Sequence, residues 1–149
     1  RMIRKATRYD IPRLLEMVEA YALEMPVKSL SNTKNHHPQD VEQLLFEIIM
    51  GRGFILIDKH MTGVLIALKN KNIWSKTITE LNELLWWVEP EHRNGTIGGR
   101  LWKEFDRLAE EMLKEGTIQM VVTSVSPMGP MIDYTKRGYA ILGASFFRE

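Results

Sequence analysis

An apolar run that stops at a proline and restarts, after a turn bearing glycines 95, 98 and 99, as a long amphipathic helix constrains this chain most. Residues 78–88 become steadily more apolar and end at Glu89-Pro90. Proline donates nothing to a strand ladder, so a strand is expected to end there. From Thr96 to Glu115 the apolar residues Ile97, Leu101, Phe105, Leu108 and Met112 share one helical face. Arg100, Lys103, Glu104, Arg107, Glu111 and Lys114 take the other. Gly116 supplies the stop, and residues 118–122 read as the next strand. Strand, turn, helix and strand in that order form a βαβ unit, which requires a parallel pair with a helix packed over it.

Upstream elements extend this unit. Residues 2–6 read as a short strand. Asp10 is placed to cap a helix with Pro12 in its first turn, and Ile11, Leu14, Leu15, Val18, Tyr21 and Met25 recur at helical spacing until Pro26. Residues 27–37 are polar and aperiodic, which predicts a mobile loop. Pro38 opens a second helix with the stripe Val41, Leu44, Leu45, Ile48 and Ile49, ended by Gly51. Residues 54–57 and 64–68 are apolar runs joined by a turn with Asp58, Lys59 and Gly63, which predicts an antiparallel hairpin. Residues 128–137 hold a short helix, and residues 139–147 read as a last strand. The predicted order is β-α-α-β-β-β-α-β-α-β, an α/β (α+β) chain with a mixed, mostly antiparallel twisted sheet of about six strands and helices on both faces.

Length and composition bound the partners. The 149 residues suit one domain, 1–149, with Arg1 ahead of Met2 read as an appended residue. Twenty basic and nineteen acidic residues nearly cancel, which argues against nucleic acid or an anionic membrane as the main partner. There is no cysteine, which excludes disulfides, thiolate metal sites and a cysteine nucleophile. No apolar run reaches the roughly 18 residues of a membrane span, and residues 2–6 lack a signal-peptide core, so the expected location is the cytoplasm.

The turn at 89–99 carries the chemistry. A helix N-terminus offers unpaired N–H groups and the positive end of a dipole, both of which attract phosphate. Glycines 95, 98 and 99 remove Cβ atoms from the approach, and Arg93 adds charge. No capping box competes for these N–H groups, because position 99, three residues after Thr96, is glycine rather than Glu or Gln. The alternative is structural: Gly95 ends a turn, and Gly98-Gly99 allow the helix to pack closely.

The stretch from Val88 to Leu101, VEPEHRNGTIGGRL, resembles the central motif of the GNAT N-acetyltransferases. That motif is a strand, an x-Pro turn, and Arg/Gln-x-x-Gly-x-Gly/Ala opening a long helix. Arg93 and Gly98 match, and Thr96 stands in place of the first glycine. Residues 133–139, DYTKRGY, resemble the family's later Phe-Tyr-x-Lys-x-Gly-Phe segment, with Asp133 in place of an apolar residue. The element order matches over essentially the whole chain. Pro127 lies where many relatives carry an asparagine that contacts the pantetheine arm.

The resemblance implies acetyl-coenzyme A (acetyl-CoA) as co-substrate and an amine as acceptor. It places the pantetheine along the backbone of Trp87 and Val88. It assigns the phosphate cradle to Arg93, Asn94, Gly95, Thr96, Ile97, Gly98 and Gly99. Tyr134 falls at the family's common general-acid position, where a phenol can protonate the departing thiolate. Glu83 is the first candidate for the base that draws off the amine proton, with Glu80 as alternate. Strand parity does not choose between them, because this strand often carries a bulge in the family.

Other residues carry weaker signals. His36, His37 and His92 lack metal-ligand spacing, so no metal is expected. Trp86, Trp87 and Trp102 suit core packing, whereas Trp74, in a polar loop, is the tryptophan expected to touch a substrate. The first 40 residues hold no motif diagnostic of the acceptor, so polyamines, antibiotics, amino acids and protein termini stand as alternatives. The resemblance leaves a homodimer open. A GNAT-fold binding protein without catalysis is the alternative reading, favoured by Thr96, Pro127 and Asp133.

Overall fold

The computed structural model describes residues 2–126 and 132–149. Its strands are β1 (Ile3–Lys5), β2 (Gly53–Asp58), β3 (Gly63–Lys71), β4 (Thr79–Val88) and β5 (Met120–Val122). Its helices are α1 (Ile11–Glu24), α2 (Lys28–Ser31), α3 (Pro38–Glu47) and α4 (Ile97–Glu115). The sheet runs β1-β2-β3-β4-β5, with antiparallel neighbours until the β4–β5 pair, which is parallel.

β2 and β3 read as continuous apolar runs because both of their faces are covered. Ile55, Ile57, Val64 and Ile66 pack with Leu14 and Met17 of α1 and Leu45 of α3. Phe54, Leu56, Leu65 and Ala67 face Leu101, Phe105 and Ala109 of α4. The turn between these strands is tied by Asp58, which is 1% exposed. Its carboxylate accepts from Thr62 N and Oγ1 at 2.7 Å each and from Gly63 N at 2.8 Å. Burial pushes the Asp58 carboxyl up, but these hydrogen bonds outweigh it and leave the group below the usual carboxylate range.

β4 changes face along its length. Leu81 belongs to the α4 side and Leu85 to the α1–α3 side, although even spacing would put both on one face. The register explains this. Ile66 pairs with Leu85 and Ala67 with Glu83, so Leu84 is the extra residue of a β-bulge, turned outward at 47% exposure.

Four expectations are corrected. Among the described residues the sheet has five strands rather than about six, because residues 139–147 form no strand. Ile141, Leu142, Phe146 and Phe147 there are all exposed, and no strand among the described residues pairs with them. The helix expected within 128–137 is, among the described residues, a 3-10 turn at Tyr134–Arg137 ended by Gly138 at φ +88°. The loop at 27–37 contains α2 and a 3-10 turn, Thr33–Asn35, held by the Asn32 side chain accepting from Lys34 N. Asp10 does not cap α1 through its side chain. It pairs with Arg4 at 2.9 Å and accepts from Thr7 N at 2.8 Å instead. The expectation at Pro127 lies outside the described residues.

Candidate active site

β5 pairs with β4 only over Glu80–Asn82. β5 ends at Val122, so among the described residues the side of β4 from Glu83 to Val88 that faces away from β3 has no strand partner. A strand edge without a partner leaves main-chain donors and acceptors available, and an extended ligand can take the missing partner's place. Trp87 and Val88 lie on this edge with buried side chains.

Glu83 is the first residue of this edge and is half-buried. Thr123 Oγ1, just past the end of β5, donates to Glu83 Oε1 at 3.3 Å. Burial pushes the Glu83 carboxyl up to about 7, against hydrogen bonds from Thr123 and the Ser124 backbone that favour the ionised form. Glu80 sits differently. It lies within the paired part of β4, between Asn70 and Met120, and its carboxylate is bonded to the Asn72 side chain.

Tyr134 opens the 3-10 turn at Tyr134–Arg137, and its hydroxyl donates to Ser124 O at 3.4 Å. Its ring packs on Trp102 of α4, with centroids 5.2 Å apart. Trp102 Nε1 donates in turn to Thr123 Oγ1 at 3.5 Å. Burial raises the Tyr134 phenol; a hydrogen bond with Thr123 opposes this, and the nearby Glu83 charge adds to it. The phenol therefore keeps its proton at neutral pH. Glu83 and Tyr134, 51 residues apart, share Thr123 as a common neighbour. Neither Thr123 nor Ser124 stands out in the sequence, where they only follow the apolar pair Val121-Val122.

The glycine turn closes the other side. α4 begins at Ile97, and its N-cap residue Thr96 makes no side-chain cap hydrogen bond. Thr96 Oγ1 instead accepts from Arg100 Nε at 3.1 Å. The helical ladder offers no acceptor to the first N–H groups of α4. A Cβ at Gly99 would meet nothing within 4 Å, and one at Gly98 would only touch Val88 and Trp86 at 3.5–3.9 Å. Both positions therefore leave room for a ligand near the backbone. The Arg93 guanidinium is paired rather than free. Its Nη2 donates to both oxygens of Glu24 at 2.7 and 2.8 Å, and its Nε donates to Val88 O at 2.7 Å. Asn94 and Gly95 complete the turn, with Gly95 N bonded to His92 O at 3.3 Å.

Trp74 is 88% exposed in the β3–β4 connection, at the Thr79 end of β4 and thus at the far end from Val88. His36 Nε2 lies 2.6 Å from Leu30 O and ties the α1–α3 connection together. Among the described residues, Glu89, Glu91 and His92 bring possible ligand atoms within 4.8 Å of one another, with Glu89 also bonded to Arg13. No helix of the described residues is long and apolar enough to cross a membrane.

No protein-family model matches the chain, and no curated protein does. Solved structures do match over its whole length. A predicted acetyltransferase from Clostridium acetobutylicum, crystallised with acetyl-CoA, superimposes with TM-score 0.68 at 16% identity, covering 99% of this chain and 94% of that one. An acetyltransferase from Trypanosoma brucei gives 0.64 at 12% identity, covering 99% and 97%. The chain has the GNAT fold. An aminoglycoside acetyltransferase from an uncultured soil metagenomic sample, in complex with sisomicin, gives 0.62 at 14% identity, covering 99% and 94%. In this GNAT fold the unpaired edge of β4, the uncapped start of α4 and the Glu83–Thr123–Tyr134 cluster occupy one end of the sheet.

Proposed function

We propose that the chain is an acetyl-CoA-dependent N-acetyltransferase acting on a primary amine. The observation that carries this reading is the meeting of Glu83 and Tyr134 on Thr123 where β4 loses β5. A carboxyl pushed up to about 7 and a phenol kept protonated are matched to opposite proton transfers near neutral pH. The neighbour crystallised with acetyl-CoA supports that co-substrate, and the site offers it both an unpaired strand edge and an uncapped helix start.

Acetyl-CoA supplies an activated acetyl group. The free amine attacks its carbonyl carbon, forming the C–N bond as the C–S bond breaks. Glu83, ionised, takes the proton released by the amine, directly or through water. Tyr134 gives its phenolic proton to the departing thiolate sulfur. The main chain of Trp87 and Val88 orients the thioester, and the N–H groups at Ile97, Gly98 and Gly99 hold the diphosphate. Exclusion of water by the buried Trp87 and Trp102 strengthens each of these contacts.

Thiol release from acetyl-CoA, measured against a panel of amines, tests the proposal. Aminoglycosides belong in the panel because a neighbour is named for them. Polyamines, amino acids and peptide termini complete it. Amine-dependent thiol release with a mass gain of one acetyl group on the acceptor is expected. Binding of acetyl-CoA without release on any amine would favour a GNAT-fold binding protein.

A further inference from the structure

Arg93 lies in the phosphate turn, yet its charge is already taken. The carboxylate that takes it belongs to Glu24, the last residue of α1, 69 positions earlier in the chain. Glu24 Oε1 also accepts from Trp87 Nε1 at 2.9 Å. Arg93 completes the ring of contacts by donating from Nε to Val88 O. One carboxylate thus joins the end of α1, the end of β4 and the turn that leads into α4. Burial alone would raise the Glu24 carboxyl, but the hydrogen bonds from Arg93 and Trp87 and the Arg93 charge hold it below the usual range.

A guanidinium with two of its three nitrogens bound in this way acts as a planar strut rather than a mobile counter-ion. Phosphate binding at the turn then falls to main-chain N–H groups, whose aim depends on where the strut holds residues 93–96. We propose that Glu24 is a positioning residue for the coenzyme turn, acting through Arg93 and Trp87, and that neither it nor Arg93 reads the diphosphate by charge. This inference rests on the acetyl-CoA reading above.

The test compares the full chain with Glu24→Gln, Arg93→Gln and the double variant. Acetyl-CoA affinity is measured by calorimetry, and hydrogen exchange is followed at the amides of residues 93–99. Glu24→Gln keeps the side chain's size and removes its charge. Each single variant is expected to weaken acetyl-CoA binding by about tenfold or more, and the double variant to be no worse than the weaker single, because both break one unit. Exchange at residues 93–99 should rise in all three.

Tighter binding in Glu24→Gln together with weaker binding in Arg93→Gln would overturn the proposal, since a freed Arg93 would then be reading phosphate charge. Additive losses, or unchanged affinity in both singles, would overturn it as well. A parent chain that binds no acetyl-CoA would instead sink the transferase reading. The strut would then stand or fall on the exchange rates alone, and unchanged rates at residues 93–99 in Glu24→Gln would end it.

Discussion

A carboxyl that titrates near 7 has consequences for both rate and stability. If Glu83 is the base, kcat/KM should rise as the pH passes through about 7 and then level off. Glu83→Gln should lower the rate at neutral pH by roughly 10²-fold or more and abolish that inflection. High pH should restore part of the loss, because free amine then needs no base. Glu80→Gln, at a site bonded to Asn72, should change the profile little.

The stability effect has a defined sign. Folding raises the Glu83 pKa from 4.5 to about 7, so its contribution is fully present below 4.5 and is lost as pH rises through 7. Glu83→Gln should therefore gain melting temperature relative to the parent at pH 8 and gain little at pH 4.5, a comparison that calorimetry can make without any substrate. Asp58 has the opposite sign. Its folded pKa is lowered, so its stabilisation is present above the unfolded value of 3.8 and is lost as pH falls through the folded pKa. Tyr134→Phe keeps the ring on Trp102 and removes one proton donor. A fall in kcat of roughly 10²-fold or more, with acetyl-CoA affinity unchanged, is expected in steady-state and binding measurements.

Between elements, α4 packs tightly on β3 at Gly63. A Cβ there would come within 2.9 Å of Ile97 Cγ2 and Leu101 Cδ1. Gly63→Ala should therefore push the first turn of α4 away from the sheet, at a cost of roughly 1–3 kcal/mol by thermal unfolding. Acetyl-CoA affinity should fall with it, because the moved turn is the proposed phosphate cradle.

The elements also show what the sequence could and could not say. Helical periodicity and Gly116 marked α4 because they are local properties of the chain, and Pro90 marked the end of β4 for the same reason. The bulge at Leu84 is a property of register between two strands, so nothing local in residues 78–88 announces it. It is nevertheless what returns Leu85 and Trp87 to the α1–α3 face after Glu83. Residues 139–147 have strand composition but lack a strand beside them among the described residues, and composition without a partner makes no ladder. The Glu24–Arg93 pair spans 69 positions, and the motif alone suggested a free cation at residue 93.

At the scale of the molecule, the five described strands hold two helical layers apart, and β4 outruns β5 at one end of the sheet. The α1–α3 layer supplies Glu24 against Trp87, and the α4 layer supplies Trp102 against Tyr134 and Thr123. The unpaired edge of β4 lies between these layers, with an uncapped helix start beside it. All of the proposed chemistry follows from acetyl-CoA occupying that edge. The deciding measurement is calorimetric titration of the full chain with acetyl-CoA, paired with the same titration of Gly98→Val. A Cβ at position 98 has room among Val88 and Trp86, so the variant should fold and report on ligand approach. The parent is expected to bind with micromolar-range affinity and a raised melting temperature, and Gly98→Val to fold but lose both. No heat of binding and no thermal shift in the parent at millimolar acetyl-CoA would contradict the assignment of this edge as an acetyl-CoA site.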